Sequence, residues 1–334
     1  GTTPTLKEAV ALRERAEKAR DTAAERHQKE QAEKRRKKYK KDWTDNHGRA
    51  SYRYARNNFR PPTSVITDPE NQNTPTGSPR RIQEMFCEAW TKVFHCFTHR
   101  PEEKPDWKTF HAKYGHIMKE IPSGAQVPTG KELHEQAQRT KDSAMGMDGW
   151  RTMELKALPL EIWEMRHKVE VLADKLGKLP SSYGDMSTPM LPKGEGRTAI
   201  DHRGLTLFPG LYRILSGAWW HQLQSWHNEW SHPCSHGGRK GHDIVGLAWE
   251  AQADIELAQA RSEPLCGVLL DYEKFFDRFD IDFSTNLLIT MGYPVQRAQQ
   301  LRDLYRGLRR YIKNGNHYVE PMLHCNGIGQ GCSQ

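Results

Sequence analysis

Residues 6–43 contain neither glycine nor proline and consist mainly of Ala, Glu, Lys and Arg, which are strong helix formers. Acidic and basic side chains alternate over the first half of this segment, as they do on helices that face water. Because the segment offers few apolar side chains for burial, it cannot build a core by itself. The sequence therefore predicts a basic helical extension over residues 1–60 and a core elsewhere in the chain.

A run of cations that no acidic residue interrupts lies near the end of this predicted helix: Lys34, Arg35, Arg36, Lys37 and Lys38. One interpretation is a solvated helix end; the other is a patch that binds phosphates or directs nuclear import. The whole chain has 50 basic and 42 acidic residues, a net charge of +8. This excess favours an anionic partner, with nucleic acid ahead of an anionic membrane surface.

Residues 61–124 are predicted to form a linker followed by a helical region. The stretch 60–79 is rich in Pro, Thr, Ser and Asn, which predicts a loop. Apolar side chains then recur at three- and four-residue spacing from Ile82 to Phe94, which predicts a helix with one buried face. His95 and His99 lie one turn apart, but zinc would need further ligands, so we interpret them as packing residues.

The main core is predicted to occupy residues 125–334, where the apolar density rises. A helix is expected to begin after Thr129, which can form a capping box with Glu132. No apolar run approaches the ~18 residues of a membrane span, and no secretory signal begins the chain. The six cysteines include no Cys-x-x-Cys pair, which favours a reducing, intracellular location.

The segment from Pro264 to Asp271 is a short apolar run that ends in an acid. We expect a buried strand that holds the carboxylate at its open end, where a metal ion or a substrate can reach it. Many strands end in an aspartate that only caps the next turn, so this segment alone is weak evidence for a site.

Six segments occur in a fixed order along the chain: Ser143–Trp150, Leu191–Lys193, His202–Leu207, His236–Gly241, Asp271–Asp277 and Asn326–Cys332. This order and spacing resembles the reverse transcriptase domain of non-LTR (LINE-like) retrotransposons. The resemblance covers roughly residues 80–334. Met147, Gly204, Gly238 and Phe275 depart from the family's usual residues, and the family's aromatic-x-Asp-Asp hairpin has no counterpart in these 334 residues.

The resemblance implies roles for six residues. Asp271 would bridge two Mg²⁺ ions in the complete enzyme, and the backbone carbonyl of Tyr272 would help to hold one of them. Phe276 would act as the steric gate that favours deoxynucleotides. Lys193 and Arg203 would bind the triphosphate, for which cations are required, and Gln330 would contact the incoming nucleotide. The alternatives are a core aromatic for Phe276, solvated strand ends for the two cations and a plain turn for Gln330.

Other residues of the six segments have less direct roles. Lys274 and Asp277 are expected to orient the Asp271 turn rather than to touch substrate. Arg239 and Lys240 lie in a glycine-flanked turn and would either contact the template backbone or be solvated. The Asp148–Gly149 turn is expected to fix local geometry rather than to perform chemistry.

Together these expectations describe an α/β (mixed α+β) chain: right-hand polymerase fingers and a partial palm, with a mixed sheet and flanking helices behind the basic extension. The parent protein would copy an RNA template into DNA from a DNA primer with dNTPs and Mg²⁺, without a membrane and in the nucleus. We expect the chain to be a fragment that is inactive alone. The alternatives are a group II intron-type reverse transcriptase, a decayed or repurposed RNA-binding copy, and an unrelated basic RNA-binding protein.

Overall fold

The computed structural model describes residues 33–34, 37, 65–194, 196–239, 241–314, 317–318, 320–323, 325–329 and 332. The chain divides into two compact units, Gly1–Pro61 and Pro62–Gln334. In the first unit, Glu33, Lys34 and Lys37 are helical and exposed, and Lys37 Nζ lies 3.4 Å from Glu33 Oε1. The rest of the predicted extension, with Arg35, Arg36 and Lys38, lies outside the described residues.

The second unit combines helices with a small mixed sheet, which confirms the mixed helix-and-sheet class. Its strands are β1 (Ile66–Asp68), β2 (Thr74–Thr76), β3 (Asp185–Pro192), β4 (His202–Gly204), β5 (Arg309–Asn314), β6 (His317–Tyr318) and β7 (Met322–Leu323). Its helices are α1 (Pro79–Phe94), α2 (Cys96–His99), α3 (Trp107–Tyr114), α4 (Gly130–Arg139), α5 (Thr152–Ala157), α6 (Leu160–Lys175), α7 (Gly210–Trp230), α8 (Ile244–Arg261), α9 (Ile281–Thr290) and α10 (Val295–Arg306). No helix in the described ranges is long and apolar enough to cross a membrane.

The main sheet has the order β4–β3–β5–β6, and β7 also pairs with β5. Strands β3 and β5 run parallel, while β4 is antiparallel to β3 and places Arg203 opposite Leu191. The parallel pair requires a long connection, and α7 to α10 lie within it. The sheet therefore brings β3 beside β5, which begins more than a hundred positions later in the chain.

Two hydrophobic cores hold this unit together. The larger core lies among helices α4 to α7, α9 and α10, with Trp163, Tyr212 and Leu308 among its fully buried side chains. The smaller core packs α1 against the sheet and contains Phe86 and Ile312. Every apolar position that the spacing assigned to α1 is buried, which confirms the predicted helix.

The predicted cap of α4 is also confirmed. Thr129 Oγ1 accepts a hydrogen bond from the Glu132 backbone N–H, and the Glu132 carboxylate accepts one from the Thr129 backbone N–H at 2.8 Å. The loop predicted over residues 60–79 is wrong in part, because residues 66–76 form the β1–β2 hairpin. Its turn places Gln72 and Asn73 at positive φ, and Ile66 reaches the smaller core.

The strand predicted from Pro264 to Asp271 does not form. Residues 264–272 have no regular secondary structure and are exposed; Val268, Leu269 and Leu270 keep 78, 102 and 75% of their surface open. An extended segment becomes a strand only when a neighbouring strand takes up its backbone hydrogen bonds, and no described strand pairs with this one. The apolar sequence pattern of residues 264–271 was therefore not sufficient to predict a strand.

Candidate functional site

The turn that follows Asp271 is a short 3₁₀ helix over Phe275–Arg278. Lys274 is its N-cap residue and has a φ of 51°. The Lys274 carbonyl accepts hydrogen bonds from the N–H groups of Asp277 (2.9 Å) and Arg278 (3.0 Å). The Tyr272 ring packs on the Phe275 ring, with centroids 5.7 Å apart. These contacts fold the chain back on itself directly after the predicted metal-binding carboxylate.

The Lys274 side chain joins this turn to the backbone beside β4 through hydrogen bonds. Its Nζ donates to the carbonyl of Ile200 at 3.2 Å, reaches the carbonyl of His202 at 3.5 Å, and lies 4.5 Å from the centroid of the Trp90 ring. Burial lowers the Lys274 pKa; Asp277 opposes that shift and Lys193 reinforces it. The prediction that Lys274 orients the turn therefore has a specific basis, in contacts with α1 and with the backbone at β4.

Lys193 and Arg203 lie at the same end of the sheet. Lys193 directly follows β3 and its backbone N–H donates to the Asp201 carbonyl at 2.6 Å, while Arg203 lies in β4. Both side chains are exposed. Lys274 Nζ donates to the Ile200 carbonyl, and the Lys193 N–H donates to the carbonyl of the next residue, Asp201. The turn after Asp271 is therefore attached to the backbone that connects the end of β3 to β4, the strand that contains Arg203.

A third segment, residues 325–329, closes the other side of the turn. The N–H groups of Gly327 and Ile328 donate to the carbonyls of Phe279 (2.6 Å) and Phe276 (2.7 Å). Asn326 is buried, and its Nδ2 donates to the carbonyls of Asp277 (2.7 Å) and Val93 (3.0 Å). The segment that leads to Gln330 is thus hydrogen-bonded to the segment that contains Phe276, although 50 residues separate them.

Two glycines permit this close approach. Gly327 has a φ of +94°, and a Cβ there would lie 2.6 Å from the Asp277 carbonyl oxygen. A Cβ at Gly329 would lie 2.4 Å from the Phe208 ring. Any larger side chain would therefore push the segment away from its neighbours. Gln330 itself lies outside the described residues.

Beneath the turn lies a buried cation that the sequence analysis did not identify. Arg310 of β5 is fully buried, donates to Thr206 Oγ1 at 3.0 Å and lies 4.3 Å from the centroid of the Phe94 ring. Burial lowers its pKa to about 10, while the charge of Asp277 acts in the opposite direction. The charge of Asp277, in the turn after Asp271, therefore favours the protonated form of Arg310. The sequence feature that could have identified Arg310 as buried is its position midway between the apolar residues Leu308 and Ile312, because alternate residues of a strand share one face.

The remaining predicted site residues are placed as follows. Asp271 is exposed, and no described residue forms a hydrogen bond or ion pair with its carboxylate. Tyr272 is exposed, and Phe276 keeps 42% of its surface open. Lys274 is three positions after Asp271, so their Cα atoms lie at most about 11 Å apart. The Asp271 carboxylate therefore remains close to Lys274 and the residues that Lys274 contacts.

Arg239 has intramolecular acceptors. Its Nη1 donates to the carbonyls of His232 (3.2 Å), Pro233 (3.0 Å) and Ser235 (3.2 Å). These contacts hold the loop after α7 together, so the guanidinium has a structural function; a contact with template backbone stays a prediction. Lys240 lies outside the described residues.

The turn at Asp148 supports the start of α7. Asp148 Oδ2 accepts a hydrogen bond from the Leu211 backbone N–H at 3.3 Å, and Arg213 Nη1 donates to Ser143 Oγ at 2.6 Å. These contacts join the first of the six segments to the helix that follows β4. They are consistent with the expected geometric role of this turn.

The donor set is incomplete for a divalent cation. Only the Asp271 carboxylate and the Tyr272 carbonyl are candidates, and no group of three His, Cys, Asp or Glu side chains in the described ranges could hold a metal ion. Mg²⁺ prefers about six oxygen ligands, several of which are water or phosphate oxygens. The Asp271 carboxylate and the Tyr272 carbonyl are therefore too few to form a Mg²⁺ site by themselves.

No known family model and no curated protein matches this chain. The geometry alone shows a site in which an exposed carboxylate follows an apolar segment, two exposed cations lie at the end of a β-hairpin, and a glycine-rich segment closes the turn.

Proposed function

We propose that this chain contributes the fingers and part of the palm of an RNA-directed DNA polymerase of the non-LTR retrotransposon type. The observation that carries the proposal is that segments separated by up to about 130 positions meet at one place. These are the end of β3, which precedes Lys193; β4, which contains Arg203; the turn after Asp271; and residues 325–329. The resemblance concerns only the order of the sequence segments, so the hydrogen bonds between these segments are independent support for the proposal.

The positive charges of the candidate site are suited to a nucleoside triphosphate. Lys193 and Arg203 provide two exposed cations for the triphosphate, and arginine can bind two phosphate oxygens at once. The partly exposed ring of Phe276 would lie against the sugar. In the proposed enzyme, Asp271 together with the carboxylates of an aromatic-x-Asp-Asp hairpin would hold two Mg²⁺ ions.

The exposed segment 264–270 supports the same proposal. Its apolar side chains are almost completely open, although soluble proteins rarely expose several neighbouring large apolar residues. In the proposed enzyme, a hairpin that carries the aromatic-x-Asp-Asp sequence would pair with this segment and convert it into a strand. Asp271 would then lie at a strand end beside the further carboxylates.

Primer extension tests this function. The 334-residue chain should give no DNA product on an RNA template with a DNA primer, Mg²⁺ and dNTPs. The same reading frame, continued through an aromatic-x-Asp-Asp segment, should give product, and Asp271→Asn should abolish it. Incorporation should fall when rNTPs replace dNTPs. Mg²⁺-dependent synthesis by residues 1–334 alone, or full activity of Asp271→Asn in the longer protein, would refute the proposal.

The second candidate is a repurposed, non-catalytic RNA-binding protein. The observation that favours it is the pair of exposed cations, Lys193 and Arg203, which can bind RNA phosphates without a metal ion. In that case the continued reading frame would lack an Asp-Asp pair, while RNA binding would weaken with salt and with loss of Lys193 or Arg203. A group II intron-type enzyme would give the same primer-extension result as the first candidate, so template preference would distinguish those two.

A further inference from the structure

Cys325, the first residue of the 325–329 segment, forms a thiol–imidazole pair with His95 on the surface, and the proposed function uses neither side chain. Cys325 Sγ lies 3.2 Å from His95 Nδ1, although the residues are 230 positions apart in the sequence. Cys325 is exposed and His95 is half-buried. Among the cysteines in the described ranges, Cys234 and Cys266 are also exposed, but no hydrogen bond joins either of their thiols to a described side chain.

The second ring nitrogen of His95 is also engaged. His95 Nε2 lies 2.9 Å from the carbonyl oxygen of Leu323, which can only accept a hydrogen bond. Nε2 therefore carries the proton, and Nδ1 is left as the acceptor that faces the thiol. This is the arrangement in which an imidazole can take a proton from a nucleophile, with a carbonyl that fixes the orientation of the ring.

The backbone holds both partners in place. His95 lies at the junction of α1 and α2, and its N–H donates to the Thr91 carbonyl at 2.9 Å. The Cys325 N–H donates to the Phe94 carbonyl at 3.0 Å, and the neighbouring Asn326 is anchored to the Val93 carbonyl. The short distance between the sulfur and the nitrogen is thus set by backbone contacts and does not depend on two free surface side chains.

We propose that Cys325 is a covalent modification site for low-molecular-weight disulfides, with His95 as its general base. The Cys325 sulfur attacks one sulfur of the small disulfide as its proton passes to His95 Nδ1. The S–S bond breaks and a new bond forms between Cys325 and the attacked sulfur. The departing thiolate takes the proton from His95, so the small disulfide yields one thiol and one mixed disulfide.

Oxidised glutathione and peptide mass spectrometry test the proposal on the whole chain. Since general bases accelerate proton transfers by about 10²–10⁴-fold in enzymes, we expect Cys325 to react at least about 10-fold faster than Cys266 in the same molecules. His95→Gln, which cannot accept the thiol proton, should bring Cys325 to the rate of Cys266. His99→Gln, one turn away and exposed, is the matched control and should leave the Cys325 rate unchanged.

Buried Cys96 reports on the fold in each variant, because it should stay unmodified while the protein is folded. Equal rates for Cys325 and Cys266 in the unmodified protein would overturn the proposal, and this comparison needs no variant. A fast Cys325 in His95→Gln with Cys96 still protected would overturn it as well. None of these outcomes depends on polymerase activity.

Discussion

Replacement of Lys274 by methionine removes the ammonium group but keeps a side chain of similar length. The variant loses the hydrogen bond to the Ile200 carbonyl at 3.2 Å, the longer contact with the His202 carbonyl and the interaction with the Trp90 ring. These contacts join the Asp271 turn to α1 and to β4. We expect the turn to detach locally while the two cores remain folded.

The magnitude follows from those contacts. A hydrogen bond from a charged donor stabilises a protein by about 1.5–3 kcal/mol, and a cation–π contact at a partly exposed site adds about 0.5–1 kcal/mol. The 3.5 Å contact is at the limit of a hydrogen bond, so we count only the shorter one. Burial of the ammonium, which lowers the Lys274 pKa, offsets part of this gain. The net expected loss is about 2 kcal/mol of unfolding free energy.

Urea denaturation measures the loss, and hydrogen exchange locates it. The amides of Asp277 and Arg278, which donate to the Lys274 carbonyl, should exchange faster in the variant, while amides of α7 should not. Lys193→Met is the matched control, because Lys193 is exposed and its positive charge repels that of Lys274. Its stability should stay within about 0.5 kcal/mol of the original. Equal effects of the two substitutions, or unchanged exchange at Asp277, would refute the role of Lys274.

Three further predictions concern stability and solubility. Gly327→Ala should lower the unfolding free energy by about 2–3 kcal/mol, because the residue has positive φ and its new Cβ would overlap backbone; Gly267→Ala, in open space, should not, and equal urea midpoints would contradict this. Burial lowers the pKa of His202 below its ordinary 6.5, so the unfolded state binds the proton first as the pH falls and stability is lost below about pH 6.5. His202→Gln should reduce that loss in urea titrations between about pH 7.5 and pH 5.5, and an unchanged loss would assign it to other groups. Leu269→Lys should increase solubility by light scattering and change the unfolding free energy by less than about 0.5 kcal/mol, since the side chain is fully exposed; a larger loss would mean that Leu269 is buried.

Local signals in the sequence were sufficient for α1 and for the cap of α4. The three- and four-residue spacing from Ile82 to Phe94 identified the buried face of α1, and Thr129 with Glu132 identified the start of α4. Both depend on residues within one or two turns of a helix, where the backbone itself sets the distances. The order of the six segments likewise required nothing beyond the sequence.

The prediction was wrong where the outcome depended on a distant partner. The run from Pro264 to Asp271 has a strand's composition but lacks a described neighbour, and residues 66–76 look like a loop but form a hairpin because Ile66 finds a core. Strand formation depends on hydrogen bonds to residues far away in the chain, and composition does not report those.

The candidate site also combines features that the sequence determines with features that only the folded chain determines. By itself the sequence determined which groups are available: a carboxylate at position 271, cations at 193 and 203, and a glycine-rich segment near the last residues. Only the tertiary structure decided that Lys274 binds the Ile200 carbonyl, just before β4, and that Asn326 joins α1 to the Asp271 turn. Backbone carbonyls carry no sequence signature, so contacts to them become visible only when the chain has folded.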